Sequence, residues 1–359
     1  MSDDKSLARA AIGALHAAFG EHDGRVVHVK GGWAEATFTA TLEGGALCRA
    51  PFLRGEPVRA LVRPASRAAV LRLGAEAVVG DVTDPVVWQA AARGVRAIVH
   101  AAAIVQRRAS WEQYVAVNVD ATRLAVAAAR AAGARLIHIS SVAVYAGSAA
   151  YPSIPERRDE DFPLQPIAAP DFYARSKRMA EDVVREAATH RDLAVAALRP
   201  TVIYGERDRL FTPRVIRAAR LRFVPRIGPG TNRLSCVYAG NVAAAAAAAL
   251  DAPLQGFRAY NVTSDGPPAL SQREFFAAFA AALGRRYWSI PIPTPLAGLA
   301  MGLFTARRLA RAAVSFVSGE NPYTDERIRA ELGWRPPTPA REAIGRTVAW
   351  FLENEKPGH

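Results

Sequence analysis

The chain has 359 residues, half of them hydrophobic, which is enough to bury a full core in one large domain or two interleaved ones. Its formal net charge is +13, but the basic residues are spread along the chain without a basic tail. This distribution argues against a nucleic-acid partner and favours an anionic cofactor. The two cysteines, Cys48 and Cys236, are far apart, which argues against a disulfide framework and predicts a reducing, cytoplasmic compartment. Neither cysteine has the spacing of a metal ligand, so no metal site is predicted.

Residues 1–24 form a predicted N-terminal extension with a short Ala-rich helix over 7–19. Asp3 and Asp4 precede that helix and no clear cleavage site follows it, so a secretory signal is not expected. No apolar run reaches the length needed to span a bilayer, and we therefore expect a soluble protein.

From residue 25 onward, short apolar runs alternate with helical patterns, which is typical of an α/β fold with a doubly wound parallel sheet, the Rossmann fold. The predicted strands and turns are 25–32, 57–64, 77–84, 97–103 and the run that starts at 136, with a helix over 111–131. We predict a dinucleotide-binding domain over 25–203 and 234–263. A smaller, mainly helical C-terminal substrate lobe is expected over 204–233 and 264–359.

The loop after the first strand departs from the pattern of a dinucleotide fold, in which glycines let the backbone approach a pyrophosphate at a helix N-terminus. If the loop begins at Gly31 and Gly32, about seven extra residues precede Gly44. If it spans 37–44, Phe38 and Thr41 stand where glycine is wanted. A third alternative is a hairpin over 25–43. Gly32 and Gly44 are therefore the candidate phosphate-loop glycines.

The next two strands predict how the rest of a dinucleotide is held. Arg63 and Arg67 follow the second strand where an acid would hold ribose hydroxyls, and arginine suits a 2′-phosphate. The sequence thus favours NADP, with NAD as the alternative. Asp81, after the third strand, is expected to meet an adenine amino group. The small residues Ala101 and Ala102 after the fourth strand let a cofactor pass close.

The strongest chemical signal combines a strand end with a helix start. Ser141 ends the apolar run that begins at residue 136, and Tyr173 and Lys177 lie four residues apart on one face of a helix that Asp171 is expected to cap. An ammonium near a phenol lowers its pKa, so Lys177 is expected to activate Tyr173. Ser141 can then hydrogen-bond a substrate oxygen while Tyr173 passes a proton and a hydride moves to or from a nicotinamide.

Successive motifs resemble those of the extended short-chain dehydrogenase/reductase family of the NAD-dependent epimerase/dehydratase type. The resemblance covers about residues 45–353 and keeps the family order. The motifs are Gly80–Asp84, Val99–Ala103, Asn118–Thr122, Ser140–Tyr145, Tyr173–Lys177, Leu198–Gly205 and Gly230–Val242.

This resemblance implies Ser141, Tyr173 and Lys177 as the catalytic set and a homodimer formed through helices 111–131 and 172–188, although some members are monomers. It also implies a group of residues that line the cofactor. They are Asp81, Val82, Ala101, Ala102, Ser140, Tyr173, Lys177, Pro200 and Val202. The glycine-rich phosphate loop of the family is absent from this sequence.

Within that family, the sequence separates some reactions from others. Dehydratases carry an Asp-Glu pair directly after the catalytic hydroxyl, and Val142 and Ala143 stand there instead, which argues against dehydration. Arg233 could bind a nucleotide diphosphate, as in an epimerase. The apolar segment over 287–304 runs into a basic stretch and could form the wall of an apolar substrate pocket, an ordinary core helix, or a peripheral membrane contact near 295–311.

That segment resembles the 3β-hydroxysteroid dehydrogenase-like branch of the family more than the sugar epimerases. We therefore predict an NAD(P)-dependent oxidoreductase that interconverts a secondary alcohol and a ketone on an apolar substrate of steroid-like, flavonoid-like or long-chain type. Two alternatives stay open, a nucleotide-sugar epimerase and a non-catalytic Rossmann protein that has lost its cofactor.

Overall fold

The computed structural model describes residues 25–29, 57–72, 75–105, 109–146, 156–190, 192–221, 224–294 and 314–354. The main sheet consists of seven parallel strands, which are Arg25–Val29 (β1), Val58–Val62 (β2), Glu76–Val79 (β3), Val95–His100 (β4), Arg135–Ile139 (β5), Val195–Pro200 (β6) and Phe257–Val262 (β10). Their order across the sheet is β10-β6-β5-β4-β1-β2-β3. The predicted parallel, doubly wound sheet is confirmed, and the order of its first six strands is that of a dinucleotide-binding fold.

Helices connect these strands and cover both faces of the sheet. They are Arg67–Arg72 (α1), Pro85–Ala92 (α2), Trp111–Tyr114 (α3), Ala121–Ala132 (α4), Ala143–Ala146 (α5), Phe172–Ala187 (α6), Thr212–Ala219 (α7), Ala239–Asp251 (α8), Gln272–Ala282 (α9), Glu326–Leu332 (α10) and Ala340–Asn354 (α11). Within the described ranges, none of these helices has the length and apolar character of a membrane span.

Residues that alternate along each strand point to opposite faces, so the sheet contributes to two cores. Ile98 packs on one face with Trp88 of α2 and Val126 of α4. Its neighbour Val99 packs on the other face with the Ala-rich helix α8. Because both faces are buried, the central strands are nearly continuous apolar runs, and this explains why the sequence identifies them.

The C-terminal lobe has its own core and two small parallel sheets. β7 (Val202–Tyr204) pairs with β9 (Cys236–Tyr238), and β8 (Val224–Ile227) pairs with β11 (Ser289–Ile292). Phe275 and Phe279 of α9 pack there against Ile216 of α7 and Ile344 of α11. Helix α9 begins with a capping box, in which the Ser271 side chain accepts from Glu274 N and the Glu274 side chain accepts from Ser271 N.

The predicted helix over 111–131 consists of three consecutive helical segments, of which the middle one is not an α-helix. Between α3 and α4, the segment Val115–Asp120 is a π-helix. Such segments are uncommon and occur often at functional sites. Here the π-helix carries Asn118, whose buried side chain accepts from Ile104 N at 2.6 Å and donates to Ser176 Oγ at 2.9 Å. The amide therefore ties the end of β4 to helix α6.

Candidate active site

The carboxyl ends of β4, β5 and β6 meet at one edge of the sheet. Ala101 and Ala102 follow β4 and are buried, Ser141 follows β5, and Thr201 follows β6 and donates its hydroxyl to the Thr263 carbonyl oxygen at 3.0 Å. In an open parallel sheet, the crevice outside these ends is where ligands bind. The fold thus brings the small residues after β4 and the hydroxyl after β5 to the same edge.

Helix α6 delivers the second part of the candidate site. Asp171 caps the helix as predicted, accepting from Ala174 N at 3.3 Å. Tyr173 lies in the first turn and is partly buried, and the Ser141 side chain is close enough to lower the pKa of its hydroxyl. Lys177 follows one turn later and is buried. Ser141, at the end of β5, and the pair Tyr173 and Lys177, on helix α6, are therefore on two adjoining elements.

Lys177 is held against the end of β5. Its Nζ donates to the Ile139 carbonyl oxygen at 2.5 Å, and the side chain is almost fully buried. Burial disfavours the charged form and lowers the pKa of Lys177 to about 7, although the negative charge of Glu181 opposes this effect. The amine can therefore gain or lose a proton near neutral pH.

Burial has the opposite effect on the phenol. It raises the pKa of Tyr173 to about 12, and the Tyr114 and Asp171 side chains add to this, while the Ser141 side chain acts to lower the pKa. The predicted lowering of this pKa by Lys177 is therefore wrong for the protein alone. The physical reason is that desolvation of the phenolate dominates, while the ammonium is directed to a backbone carbonyl. The Tyr173 phenol is therefore protonated at neutral pH.

Two buried histidines lie on the strands behind Lys177. His100 of β4 and His138 of β5 are paired in the sheet register, with ring centroids 5.7 Å apart. Burial, and then the Lys177 charge, lower the pKa of both imidazoles, that of His100 to about 3. Both rings are therefore neutral at physiological pH and add no positive charge around the amine.

A buried carboxylate completes the surroundings of Lys177, and the sequence analysis missed it. Glu181 accepts hydrogen bonds from the Ser140 hydroxyl at 2.6 Å and from two nitrogens of Arg199 at 2.5 and 3.0 Å. Lys177 and Glu181 both lie on the buried face of α6, along with Ala174 and Val184. Charged residues at the apolar positions of a helix were the sequence signal that could have found this pair.

Several predicted cofactor residues have other neighbours within the protein. Ser140 is buried, and its hydroxyl is engaged by Glu181. Asp81 Oδ1 accepts from Thr83 N at 2.9 Å and from Thr83 Oγ1 at 2.7 Å. Val82 is buried, and its carbonyl accepts from Trp88 Nε1 at 2.8 Å. These contacts shape the crevice wall without filling it.

The remaining predicted positions fall into two groups. Arg63 lies directly after β2, Pro200 is the buried end of β6, and Val202 is half-buried at the start of β7. Four predictions lie outside the described residues, namely Gly32, Gly44, the extension 1–24 and the segment 295–311.

Arg233, the predicted substrate residue, belongs to the C-terminal lobe. Its Nη1 donates to the Ala269 carbonyl oxygen at 2.8 Å and pairs with Glu274 at 3.2 Å. The side chain remains 40% exposed. The guanidinium is thus partly neutralised by the helix cap of α9 but still reaches solvent.

The described part of the crevice fits the nicotinamide end of a dinucleotide. Ala101 and Ala102 carry no atoms beyond Cβ that would occupy the edge of the sheet. Lys177 has three N–H donors, of which Ile139 accepts one, so donors remain for ribose hydroxyls. Ser141 and Tyr173 offer hydroxyls beside them.

Comparison with known proteins agrees with this geometry. The family model described as 3-beta hydroxysteroid dehydrogenase/isomerase family matches residues 60–292. The 2-alkyl-3-oxoalkanoate reductase of Stenotrophomonas maltophilia (strain K279a) is 34% identical over 247 residues, which are 67% of this chain and 72% of that protein.

Two further similarities are to epimerases. The N-acetyl-alpha-D-glucosaminyl-diphospho-ditrans,octacis-undecaprenol 4-epimerase of Escherichia coli O157:H7 is 32% identical over 224 residues, which are 61% of this chain and 64% of that protein. The structure of a Thermus thermophilus UDP-glucose 4-epimerase in complex with NAD shares the fold, with a TM-score of 0.65 and 24% identity over 92% of this chain and 100% of that one.

Together with the parallel sheet, these matches show a nicotinamide-dependent enzyme of the extended short-chain dehydrogenase/reductase type. Its relatives include both reductases and epimerases. The chain belongs to the 3-beta hydroxysteroid dehydrogenase/isomerase family.

Proposed function

We propose that the protein interconverts a secondary alcohol and a ketone on an apolar substrate, with Ser141, Tyr173 and Lys177 as its catalytic residues. The observation that supports this most is that helix α6 brings Tyr173 close to Ser141, whose side chain lowers the pKa of the phenol, and holds the buried Lys177 against the end of β5. A carbonyl oxygen between the Ser141 and Tyr173 side chains meets two hydroxyl donors at once.

In the reducing direction, Ser141 donates a hydrogen bond to the substrate carbonyl oxygen, and Tyr173 transfers its proton to that oxygen as the carbon receives a hydride. A bound nicotinamide cofactor supplies the hydride, or accepts it in the reverse reaction. The raised pKa of Tyr173 keeps the phenol protonated before the reaction, as a proton donor requires. Lys177, one turn further along α6, keeps donors beyond the one given to Ile139 and would hold the ribose hydroxyls of the cofactor beside Tyr173.

An apolar, ketone-bearing chain is the substrate class that we propose. Val142 and Ala143 follow the catalytic serine, so the position next to the reacting hydroxyl is apolar. The name of the Stenotrophomonas relative describes reduction of an oxo group in an alkyl-substituted acid, and the matched family is named for hydroxysteroids. Long-chain 3-oxo compounds and steroid ketones are therefore the first substrates to test.

For the cofactor we propose NADP, because Arg63 directly follows β2 and no acid occurs between residues 63 and 72. Titration with NADPH and NADH, followed by nicotinamide fluorescence, tests this choice. Tighter binding of NADPH is expected. Binding of neither nucleotide would contradict the proposed activity and support the alternative of a non-catalytic Rossmann protein.

The activity itself is tested by consumption of reduced nicotinamide with a panel of 3-oxoalkanoates and steroid ketones. A nucleotide-sugar epimerase is the second candidate, favoured by the Escherichia coli relative and by the partly exposed guanidinium of Arg233. Thermal shifts with UDP-sugars separate the two, because an epimerase is stabilised by the nucleotide diphosphate. Stabilisation by UDP-sugars without turnover of any ketone would overturn the reductase proposal.

A further inference from the structure

Glu181 lies one helical turn after Lys177 and is only 1% exposed. We propose that Glu181 is a positioning residue of the active site, which fixes the strand end that carries Ser141 and supplies the counter-charge of the Lys177 ammonium. Its catalytic meaning depends on the proposed reductase activity, whereas its effect on Lys177 can be measured in the protein without turnover.

The first part of this role concerns the end of β5. Ser140 donates its hydroxyl to Glu181 Oε2 at 2.6 Å, and Ser140 directly precedes Ser141. Arg199 of β6 holds the other lone pairs of the same carboxylate with Nε at 3.0 Å and Nη2 at 2.5 Å. Such a bidentate pair has a fixed geometry, so the carboxylate is a rigid anchor for Ser140.

The same network reaches the chain on the far side of Ser141. Arg199 Nη1 donates to the Tyr145 hydroxyl at 2.7 Å, and Tyr145 donates to Asn261 Oδ1 on β10 at 2.9 Å. Tyr145 lies in α5, the short helix that follows Ser141. The residues on both sides of the serine are therefore held by one buried set of hydrogen bonds centred on Glu181 and Arg199.

The second part of the role is electrostatic. The groups around Lys177 are Tyr173 and Glu181 on its own helix, His100 on β4 and His138 on β5. The two imidazoles and the phenol are neutral near pH 7, since burial shifts the pKa of each away from its charged form. Burial lowers the pKa of the Lys177 amine to about 7, and Glu181 is the group whose negative charge opposes this lowering.

Removing this negative charge leaves the buried Arg199 guanidinium without its carboxylate partner and the Lys177 amine without its counter-charge. A single opposite charge at close range shifts a pKa by about 1 to 3 pH units, so Glu181→Gln is expected to move the titration midpoint of Lys177 down by at least about 1 pH unit. The variant should then hold mostly neutral amine at pH 7. In the catalysed reaction, kcat at pH 7 should fall by about 10-fold or more, with a smaller change in KM.

The chain offers a direct way to measure the midpoint, because it has only four lysines, Lys5, Lys30, Lys177 and Lys356. Lysine labelled with ¹³C at the ε position gives few resonances, and the Lys177→Met variant identifies the one of interest. Titration of the full chain from pH 5 to 10 then gives the Lys177 midpoint in wild type and variants. The matched control is Asp182→Asn, which removes the same charge from the neighbouring position of α6.

The expected result is a lower Lys177 midpoint in Glu181→Gln and an unchanged midpoint in Asp182→Asn. An unchanged midpoint in folded Glu181→Gln, or an equal shift in both variants, overturns the proposal. Should Glu181→Gln fail to fold, Arg185→Gln decides. Arg185 is 46% exposed and pairs with Glu181 at 2.9 Å, so its removal should strengthen the field at Lys177 and raise the midpoint. An unchanged or lower midpoint there contradicts the role of Glu181.

Discussion

Replacing Lys177 with methionine should stabilise the folded protein while it abolishes the proposed catalysis. The lysine is buried, and its pKa falls from the ordinary value of 10.5 to about 7 in the folded state. In the unfolded chain the Lys177 amine keeps its proton up to about pH 10.5, whereas in the folded chain the same amine releases it above about pH 7. Between these values the unfolded state binds more protons, so the lysine makes the free energy of unfolding rise with pH.

The size of this contribution follows from the two pKa values. The fall in the Lys177 pKa from 10.5 to about 7 lowers the free energy of unfolding by about 5 kcal/mol at pH values well below 7, at about 1.4 kcal/mol for each unit of pKa. Between pH 7 and 9, wild type should gain about 2 kcal/mol relative to Lys177→Met. At pH 6 the variant should be the more stable by about 4 kcal/mol, after allowing about 1 kcal/mol for the lost hydrogen bond to Ile139.

Urea unfolding of both proteins at pH 6, 7, 8 and 9 measures the difference, since groups that titrate in both proteins cancel. Arg123→Met is the matched control. This arginine is 56% exposed, so its replacement should leave the pH dependence unchanged. Equal pH dependence of wild type and Lys177→Met, or a less stable variant at pH 6, would refute the account of a buried, easily deprotonated lysine.

Three further variants test other contacts. Arg199→Met leaves the buried Glu181 carboxylate without its ion-pair partner and should lower the free energy of unfolding in urea by about 3–5 kcal/mol. Much of this loss should be recovered when Glu181 is also replaced by methionine. A loss below about 1 kcal/mol in Arg199→Met would contradict the ion pair. Arg63→Ala should weaken NADPH binding by roughly 10-fold in fluorescence titrations and leave NADH binding unchanged, whereas equal losses would remove the case for NADP. Asn118→Ala leaves the buried Ile104 backbone groups without partners and should cost about 1–3 kcal/mol in thermal unfolding, which an unchanged Tm would disprove.

The architecture could be predicted because each central strand is buried on both faces. Runs such as the one around Ile98 and Val99 are apolar without alternation, and helices alternate with them, which together indicate a parallel sheet. The π-helix Val115–Asp120 could not be predicted in this way, because its apolar positions resemble those of an ordinary helix. Its signal is tertiary, since Asn118 turns inward to bond Ile104 and Ser176.

For the candidate site, spacing alone predicted which residues could meet but not their electrostatics. The Tyr173 and Lys177 spacing places both residues on helix α6, and the end of β5 supplies Ser141. The pKa values depend on burial, which a local motif does not report, so the predicted acidic phenol was wrong and the easily deprotonated amine was unforeseen. Glu181 was missed because its partners Ser140 and Arg199 come from other strands.

The most direct test of the proposed chemistry compares wild type with Tyr173→Phe in the reduction of a 3-oxoalkanoate or steroid ketone by reduced nicotinamide. Cofactor binding is measured alongside by nicotinamide fluorescence. The variant should bind cofactor as wild type does and lose about 100-fold or more in kcat, because the phenyl ring keeps the packing and lacks the proton. Turnover of Tyr173→Phe at the wild-type rate, or a wild-type protein that binds neither nicotinamide, would contradict the account.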